Sequence, residues 1–396
     1  MALKDRFIRY AKVETTAGKG KEFDVSNDKI LNLSSILLDE LQELKPDSIS
    51  VNRCGIIDAK FYCDKQKDMV AFLAHLDTSN QASGKDVNPR VIENYNGEDI
   101  VLNDDVKIEV KDFPYLKNAI SHKLVVTDGK TLLGADDKAG VAIIMEALID
   151  VLKSKDHRPI EIIFTTDEEI GLDASHICMN EVKAKYGYTV DGGDYHDVEI
   201  ESFNAASIDV DIIGKSIHPG SAKDKMVNAA QVLMDLHFSL PQFLRPEHTS
   251  KKEPFYHLTC MKGEVEKASC NYIVRSFSTA QLEEMISLFN LSVKRQNEVL
   301  GYEAIKCVVS YQYKNMKTVL DEHKEILKEV EEVYKKNGID ISYSPIRGGT
   351  TGSQLSFMGL PCPNLGTGGY NYHGNKEYLD LDEMEIMKNV VIDLMK

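Results

Sequence analysis

The sequence predicts an α/β protein in which a larger domain, built from both ends of the chain, is interrupted by a smaller α+β domain. Two observations lead to this class. Strand-like apolar runs alternate with helical patterns up to about residue 203 and again after about residue 315, as in a mixed central sheet flanked by helices. Between these parts the predicted order is the β-α-β-β-α-β of a ferredoxin-like domain. We therefore expect domain bounds at 1–203, 204–314 and 315–396, with the first and third segments forming one domain.

The first segment contains the clearest strand and helix patterns. Apolar residues have helical spacing over 3–12 and 27–44, and Pro46 ends the second helix. Strands are predicted at 49–51 and 55–62. The continuous apolar runs 69–74 and 159–164 are typical of strands buried on both faces. Residues 80–130 are polar and turn-rich, so we expect an irregular, partly β excursion before an apolar helix at 138–152.

The remaining elements follow from the same periodicities. The middle segment predicts strands at 205–213, 256–262, 269–277 and 304–313, with helices at 225–239 and 279–299. In the last segment, helices are predicted at 320–337 and 380–395. Two glycine-rich turns, at 347–353 and 366–374, lie between these helices.

Composition limits the classes of partner. The formal net charge is −16, which argues against a nucleic-acid partner and against anionic membrane surfaces. Seven scattered cysteines include no C-x-x-C pair, so neither a disulfide framework nor a cysteine-based zinc site is expected, and a reducing compartment is favoured. The first residues show no signal-peptide core, and no apolar run approaches the length of a membrane span. We expect a cytoplasmic protein.

Acidic and histidine side chains cluster where predicted strands end. In open α/β sheets, ligands bind at the carboxyl ends of the strands. Two histidines, several carboxylates and no cysteine suit zinc, manganese or cobalt. Because the set exceeds what one tetrahedral ion needs, two ions bridged by a carboxylate, and a hydrolytic reaction, would use it fully. The candidates are His75, Asp77, Asp136, Asp137, Glu168, Glu169, Asp191 and His373.

Each of these groups also has an ordinary structural interpretation. Acids are stabilised at a helix N-terminus, so the run 167–169 can simply begin a helix. Asp136 and Asp137 are compatible with an N-cap pair, and Asp191 before a glycine is compatible with a turn. His373 is compatible with an ordinary loop histidine. The joint occurrence of these groups at successive strand ends favours a site.

Five blocks have an order and spacing that are specific to one family. They are Ala74-His75-Leu76-Asp77-Thr78, Thr131-Leu132-Leu133-Gly134-Ala135-Asp136-Asp137-Lys138-Ala139-Gly140, Phe164-Thr165-Thr166-Asp167-Glu168-Glu169-Ile170-Gly171, Tyr188-Thr189-Val190-Asp191-Gly192-Gly193 and Gly368-Gly369-Tyr370-Asn371-Tyr372-His373-Gly374. In these blocks the chain resembles the M20 family of dinuclear zinc metallopeptidases, and within it the tripeptide aminopeptidases, over nearly the whole length.

This resemblance implies a zinc-peptidase-like catalytic domain that holds two Zn²⁺ per subunit, with Co²⁺ or Mn²⁺ as possible substitutes. It implies that Asp136 bridges the ions, that His75 and Asp191 complete one site, and that Glu169 and His373 complete the other. Asp77 would hydrogen-bond His75, and Glu168 would be the general base and acid. The peptide bond after Asp136 is expected to be cis. Asp167 is left without a chemical role, and we assign it to local hydrogen bonding.

Substrate recognition is expected from other residues. A peptidase limited to short peptides must recognise both termini, and arginine forks suit a free carboxylate. The candidates are Arg275 and Arg347, with an ordinary ion pair as the alternative for each, and Asn228 joins them. The resemblance implies that His218, in the inserted domain, helps to stabilise the oxyanion. The resemblance implies short peptides as substrates, and a homodimer formed through the inserted domain, which would serve as lid and dimerisation domain.

One position departs from the family pattern. The glycine-rich turn of the family reads Gly-Gly-Thr-Asp-Gly, whereas Thr351 stands at the aspartate position here. Two alternatives to a tripeptide aminopeptidase therefore stay open. One is a relative that acts on dipeptides or N-acyl amino acids. The other is a catalytically silent peptide-binding protein, against which the complete ligand set argues.

Overall fold

The structure, a computed structural model, describes residues 1–21 and 23–396. The helices are α1 (Leu3–Ala11), α2 (Ile30–Glu43), α3 (Ala135–Ser154), α4 (Asp173–His176), α5 (Ala229–Ser239), α6 (Thr279–Leu300), α7 (Lys317–Leu320), α8 (Lys324–Lys336), α9 (Thr351–Phe357) and α10 (Leu381–Leu394). The strands are β1 (Ser48–Val51), β2 (Ile57–Phe61), β3 (Val70–His75), β4 (Arg90–Ile92), β5 (Ile100–Val101), β6 (Lys107–Ile108), β7 (Leu124–Val126), β8 (Ile160–Thr165), β9 (Tyr186–Gly192), β10 (Asp197–Ser202), β11 (Asn204–Ile213), β12 (Phe255–Gly263), β13 (Lys267–Ser276), β14 (Ile305–Tyr313), β15 (Ser342–Ile346), β16 (Asn364–Gly366), β17 (Gly369–Tyr370) and β18 (Tyr378–Asp380).

The chain forms two compact units. The first comprises Met1–Ile200, Thr318–Ser344 and Thr350–Lys396, and the second comprises Glu201–Lys317 and Pro345–Gly349. The first unit is organised around an eight-stranded mixed sheet with the strand order β1-β2-β8-β3-β9-β16-β10-β15. The partly β segment predicted over residues 80–130 contributes β4, β5, β6 and β7. Strands β4 and β7 join a four-stranded sheet of order β17-β18-β7-β4, and β5 pairs with β6.

The centre of the large sheet is buried on both faces. Every residue of β3 and of β8 is buried, and the two strands run parallel. This burial explains why both sequences are continuous apolar runs without alternation. The polar residues that follow these runs mark the end of the buried strands, so they lie at the edge of the sheet.

Helix α3 is the central helix of the first unit. It packs on β3 and β9 and against α1 and α10, so it is apolar on nearly all sides. A Cβ atom at Gly140 would overlap the carbonyl oxygen of Val190, so only glycine allows the helix to approach β9 this closely. The helix starts earlier than the predicted residue 138, at Ala135, but Asp136 and Asp137 have non-helical dihedral angles.

The second unit has the predicted β-α-β-β-α-β order, with β11, α5, β12, β13, α6 and β14 in sequence. Its four strands form an antiparallel sheet of order β12-β13-β11-β14 against which α5 and α6 pack. Helix α5 begins at Ala229 rather than at the predicted residue 225, because the side chain of Asn228 accepts hydrogen bonds from the first turn and caps it. Among the described residues, no helix is both long and apolar enough to cross a membrane.

Candidate active site

Three neighbouring parallel strands bring a histidine and several acids to one edge of the large sheet. Strands β8, β3 and β9 lie side by side and run in the same direction. His75 is the last residue of β3, Asp191 lies at the end of β9, and a short 3-10 turn, Glu168–Ile170, follows β8. We refer to Glu168–Ile170 as the glutamate turn. Carboxyl ends of adjacent parallel strands meet at one edge, which explains why these side chains converge.

Asp136 lies between two histidines. Its Oδ1 atom is 2.8 Å from Nε2 of His75, and its Oδ2 atom is 3.2 Å from Nε2 of His373. Nε2 of His75 is also 3.4 Å from a carboxylate oxygen of Asp191, and Nε2 of His373 is 3.0 Å from Oε2 of Glu169. All five residues that the sequence analysis named as ligands are thus brought together, and the two oxygens of Asp136 face different histidines.

Asp77 contacts the glutamate turn more closely than it contacts His75. Its carboxylate oxygens accept the backbone N–H groups of Glu168 and Glu169, each at 3.1 Å. The nearest carboxylate oxygen is 3.6 Å from Nδ1 of His75, whereas the backbone carbonyl of Asp77 lies 3.0 Å from that nitrogen. The expected contact between Asp77 and the imidazole is therefore made at hydrogen-bond distance by the main chain, and the fully buried carboxylate orients the turn.

The segment that carries Asp136 is held by a residue that the sequence analysis did not single out. The peptide bond between Asp136 and Asp137 is cis, as expected. Glu377, which is buried, accepts the backbone N–H groups of Leu133 at 2.6 Å, Gly134 at 2.8 Å and Asp136 at 3.2 Å. A glutamate four residues after His373 was visible in the sequence, but nothing there indicated that its partners lie more than 240 residues away.

Two further acidic residues of the motifs, Asp137 and Asp167, have hydrogen-bond partners that give them structural roles. Asp137 accepts the backbone N–H groups of His75 at 3.2 Å and Gly140 at 3.1 Å, which fixes the start of α3 against β3. Asp167 accepts the backbone N–H and the hydroxyl of Ser26. Hydrogen bonding was expected for Asp167, but its partner is 141 residues away rather than local.

The electrostatics of the site reflect an excess of buried acids. Burial raises the pKa of Asp191 to about 7, and His75 opposes this rise. Burial also raises the pKa of Glu168 well above its ordinary value, and the charges of Asp191, Asp173 and Asp136 add to the rise. Hydrogen bonds to Asp136 and Glu169 raise the pKa of His373 to about 10. These acids repel one another, and two histidines do not neutralise them, so the site favours bound cations.

The donor set fits divalent cations. Ligand atoms of His75, Asp136 and Glu169 lie within 4.8 Å of one another, as do those of His75, Asp137 and Asp191, and the two groups share His75. The Oε1 atom of Glu169 is buried and has no hydrogen-bond partner among the described residues. Imidazole and carboxylate donors suit zinc, cobalt and manganese. A buried carboxylate oxygen without a hydrogen-bond donor suits the role of a cation ligand.

The four residues expected to bind substrate all lie in the second unit. Arg275 donates to the backbone carbonyls of Ala206 and Val274, and its guanidinium lies 5.3 Å from the ring centre of Tyr313. Asn228 caps α5, which gives its amide oxygen a structural role. His218 accepts the backbone N–H of Gly220 through Nδ1, at 3.2 Å.

Arg347 is held mainly by main-chain groups. It donates to the carbonyls of Lys251 at 2.6 Å and Glu253 at 3.2 Å, and to the Thr249 hydroxyl at 3.0 Å. Among the described residues, no carboxylate forms an ion pair with Arg275 or Arg347. Both guanidinium groups therefore keep an uncompensated positive charge.

The fold and the site define a metallopeptidase of the type that the motifs suggested. The family model for peptidase family M20/M25/M40 matches residues 115–396, and the chain belongs to this family. Peptidase T of Bacillus velezensis is 41% identical to this chain over an alignment of 398 residues. The alignment covers 99% of this chain and 97% of that protein.

Solved structures with the same fold confirm the predicted fold class. The aminopeptidase PepT from Bacillus cereus has a TM-score of 0.78 and 21% identity, over 99% of this chain and 97% of that one. A tripeptidase from Staphylococcus aureus has a TM-score of 0.78 and 18% identity, over 100% of this chain and 97% of that one.

Proposed function

We propose that this protein is a metal-dependent aminopeptidase that releases the N-terminal residue of tripeptides. The observation that carries the proposal is the position of Asp136, whose two carboxylate oxygens face His75 and His373. A carboxylate in this position suits two neighbouring cations, and a dinuclear centre suits hydrolysis. The Peptidase T relatives and the family membership support a peptide as substrate.

We assign the ligands of the two cations, Zn²⁺ or its substitutes Co²⁺ and Mn²⁺, as follows. Asp136 would be shared by both cations, His75 and Asp191 would hold one, and Glu169 and His373 would hold the other. The unpartnered oxygen of Glu169 supports this assignment. When bound, such cations lower the pKa of water and polarise a carbonyl group. Asp77 and Glu377 orient the segments from which these ligands project.

Glu168 transfers the proton. Among the described residues its carboxylate accepts no hydrogen bond, while Asp77 fixes its backbone N–H. Glu168 takes a proton from the attacking water as the new C–O bond forms at the scissile carbonyl carbon. It then delivers that proton to the amide nitrogen as the C–N bond breaks, which leaves a free amino acid and a shortened peptide.

Arg275 and Arg347 are the proposed receptors of the peptide carboxylate. Each guanidinium lacks an anionic partner among the described residues, and arginine binds carboxylates through paired N–H donors. His218 is proposed to stabilise the developing oxyanion. Asn228 caps α5 through its amide oxygen, and its amide nitrogen is the group proposed to contact the substrate.

A peptide-length assay with controlled metal content tests this function. The purified protein should cleave trialanine, lose activity with a chelator, and regain it with zinc or cobalt. Dialanine, tetra-alanine and N-acetylalanine, assayed under the same conditions, distinguish a tripeptidase from a dipeptidase or an N-acyl hydrolase. Tripeptide binding without turnover by the metal-loaded protein would instead identify a silent binding protein.

We also propose the domain roles and the assembly. The first unit is the catalytic domain, and the second unit, which contains the predicted segment 204–314, is a lid and dimerisation domain of a cytoplasmic homodimer. All seven cysteines are free, which supports a reducing compartment. Light scattering after gel filtration should give twice the 44.4 kDa of one chain. A mass of one chain at micromolar concentration would contradict the dimer.

A further inference from the structure

The loop that carries His373 has an unusual backbone. We refer to residues 371–376, between β17 and β18, as the histidine loop. Asn371 and His373 both have left-handed dihedral angles, with φ of 58° and 63°. Residues other than glycine adopt this conformation rarely, because the Cβ atom then crowds a neighbouring carbonyl oxygen. Contacts with the surrounding structure are therefore needed to keep the loop in the shape that brings His373 to Asp136 and Glu169.

One side of the histidine loop is held at the end of β9. The hydroxyl of Tyr372 donates to the backbone carbonyl of Gly192 at 2.9 Å. Gly192 directly follows Asp191, a proposed ligand of the other cation. This contact fixes the residue before His373, but it acts on that side of the loop alone.

The other side of the histidine loop contacts the partly β segment that precedes α3. The hydroxyl of Tyr115 donates a hydrogen bond to Oδ1 of Asn371. The Nδ2 atom of Asn371 in turn donates to the carbonyl of Lys376 at 3.0 Å, across the loop. The Nδ2 atom of Asn375 donates to the carbonyl of Gly129 at 2.9 Å. Both segments belong to the first compact unit, so the loop is held by its own unit.

Tyr115 is itself fixed in position by packing. It lies on a short 3-10 helix, Pro114–Ala119, in which Leu116 is fully buried. Its ring stacks on the ring of Tyr370, with the ring centres 5.4 Å apart, and Tyr370 stacks on Tyr378 at 5.0 Å. Such stacking restrains the orientation of a ring. The hydroxyl of Tyr115 is therefore a donor in a defined place, and it can restrain the histidine loop.

We propose that Tyr115 is a positioning residue that holds His373 ready to bind a cation, through its hydrogen bond to Asn371. The proposal rests on the ligand role proposed above for His373. Asn371 is two residues before His373, so a restraint on Asn371 also limits the backbone of the ligand. A loop that is already ordered loses less conformational freedom when a cation binds, and its affinity for the cation is higher for that reason.

Zinc binding to the metal-free, full-length protein tests this role without any peptide. Competition with a fluorescent chelator gives the dissociation constants of the two bound ions, and His373→Ala identifies the ion that His373 binds. Tyr115→Phe keeps the stacked ring and removes only the hydroxyl. It should weaken binding of that same ion about three- to tenfold and leave the other within about twofold of the parent. Tyr62→Phe, at an exposed position, is the matched control and should bind both ions like the parent.

A double-mutant cycle separates the hydrogen bond from a general structural effect of Tyr115. Asn371→Gly removes the acceptor but keeps a residue that adopts the left-handed conformation without strain. In this background Tyr115→Phe should cause no further loss of zinc affinity, because the hydrogen bond is already absent. The same loss in both backgrounds would overturn the proposal. Equal weakening of both ions by Tyr115→Phe, or an unchanged affinity, would also overturn it.

Backbone amide hydrogen exchange of the metal-free protein keeps this test distinct from a failure of the proposed function. If the parent binds zinc but cleaves no tripeptide, the proposed substrate is wrong and the zinc measurements still decide the role of Tyr115. If the parent binds no zinc, the ligand role of His373 fails, and exchange decides whether Tyr115 fixes the loop. Exchange over residues 371–376 should be faster in Tyr115→Phe than in the parent, with α3 unchanged. Equal exchange in the two proteins would contradict the restraint.

Discussion

The backbone N–H of Glu168 donates to the buried carboxylate of Asp77 at 3.1 Å, across 91 residues of sequence. The same carboxylate accepts the N–H of Glu169 and lies 3.6 Å from the imidazole of His75. One aspartate thus connects the end of β3 to the turn after β8. Asp77 therefore contacts the proposed base, Glu168, and two proposed metal ligands, His75 and Glu169. The relative positions of these three residues depend on it.

Replacing Asp77 by asparagine should therefore disturb the glutamate turn. An amide side chain accepts through one atom only, so one of the two backbone N–H groups loses its partner, at a cost of about 1–3 kcal/mol. We expect kcat to fall at least about tenfold, because a small displacement of a catalytic base has a large effect on rate. The measurement is steady-state cleavage of trialanine by metal-loaded protein. Asp104→Asn, in an exposed loop, is the control, and equal kcat values for both variants would contradict this role.

Glu168→Gln should separate metal binding from catalysis. The glutamine keeps the shape of the side chain but cannot accept the proton of the attacking water. We expect kcat to fall by about 10²- to 10⁴-fold, the range for loss of a general base, while the metal content stays at that of the parent. Metal analysis and trialanine turnover on the same preparation make the comparison. Glu181→Gln at an exposed position should behave like the parent, and a Glu168→Gln enzyme with parental turnover would refute the assignment.

Glu377→Gln should weaken metal binding. The substitution removes at least one of three hydrogen bonds to the segment that carries Asp136, because one carboxylate oxygen becomes a donor. Partners that orient metal ligands typically change metal affinity by about 10- to 100-fold. Competition with a fluorescent chelator measures the zinc dissociation constant without any activity assay. Glu385→Gln, on the exposed side of α10, is the control, and identical zinc affinities would show that Glu377 does not position Asp136.

Arg275→Met and Arg347→Met should weaken binding of the peptide carboxylate. Each substitution removes a guanidinium that has no anionic partner among the described residues. We expect KM for trialanine to rise by about tenfold or more, as for the loss of a charge-assisted hydrogen bond. Trialanine amide, which lacks the carboxylate, should show little further loss in the same variants. Arg53→Met at an exposed position is the control, and a similar loss for both peptides would argue for a structural role instead.

The metal-free protein should lose stability as pH rises, partly through Glu383. Burial raises the pKa of this carboxyl group from 4.5 to about 8, and the Tyr370 hydroxyl, which donates to it, opposes the rise. In the unfolded chain the group is ionised above its ordinary pKa, whereas in the folded chain it stays protonated up to about pH 8. Its contribution to the free energy of unfolding is therefore fully present below pH 4.5 and is lost progressively as pH rises through the folded pKa.

Glu383→Gln removes this titration. Between pH 5.5 and pH 8, Tm of the metal-free variant should fall less than that of the parent protein. Differential scanning calorimetry in chelator-containing buffers makes the measurement, with Glu385→Gln as control. Parallel Tm curves for the parent and Glu383→Gln would show that the folded pKa is not raised.

Much of the site was predictable because several proposed ligands lie at the ends of strands, and strands can be recognised from the sequence around them. His75 and Glu168 lie at or just after apolar runs that are typical of buried strands, and Asp191 lies near the end of a third predicted strand. Parallel strands place their ends at one edge of the sheet. The β-α-β-β-α-β order of the inserted segment was likewise visible in periodicity alone. The identity of the family followed from the order and spacing of the motifs.

The contacts that hold these residues in place were decided only by the tertiary structure. Three contacts join segments that are 91 to 244 residues apart. They are those of Asp77 with the glutamate turn, of Glu377 with the segment before α3, and of Asp173 with Thr351. No periodicity or motif links such positions, because hydrogen bonds between distant segments depend on how the strands and helices pack. The sequence by itself thus predicted which residues could bind metal and transfer a proton. Packing decided which buried carboxylates orient them, since a buried oxygen needs a donor that only a folded neighbour supplies.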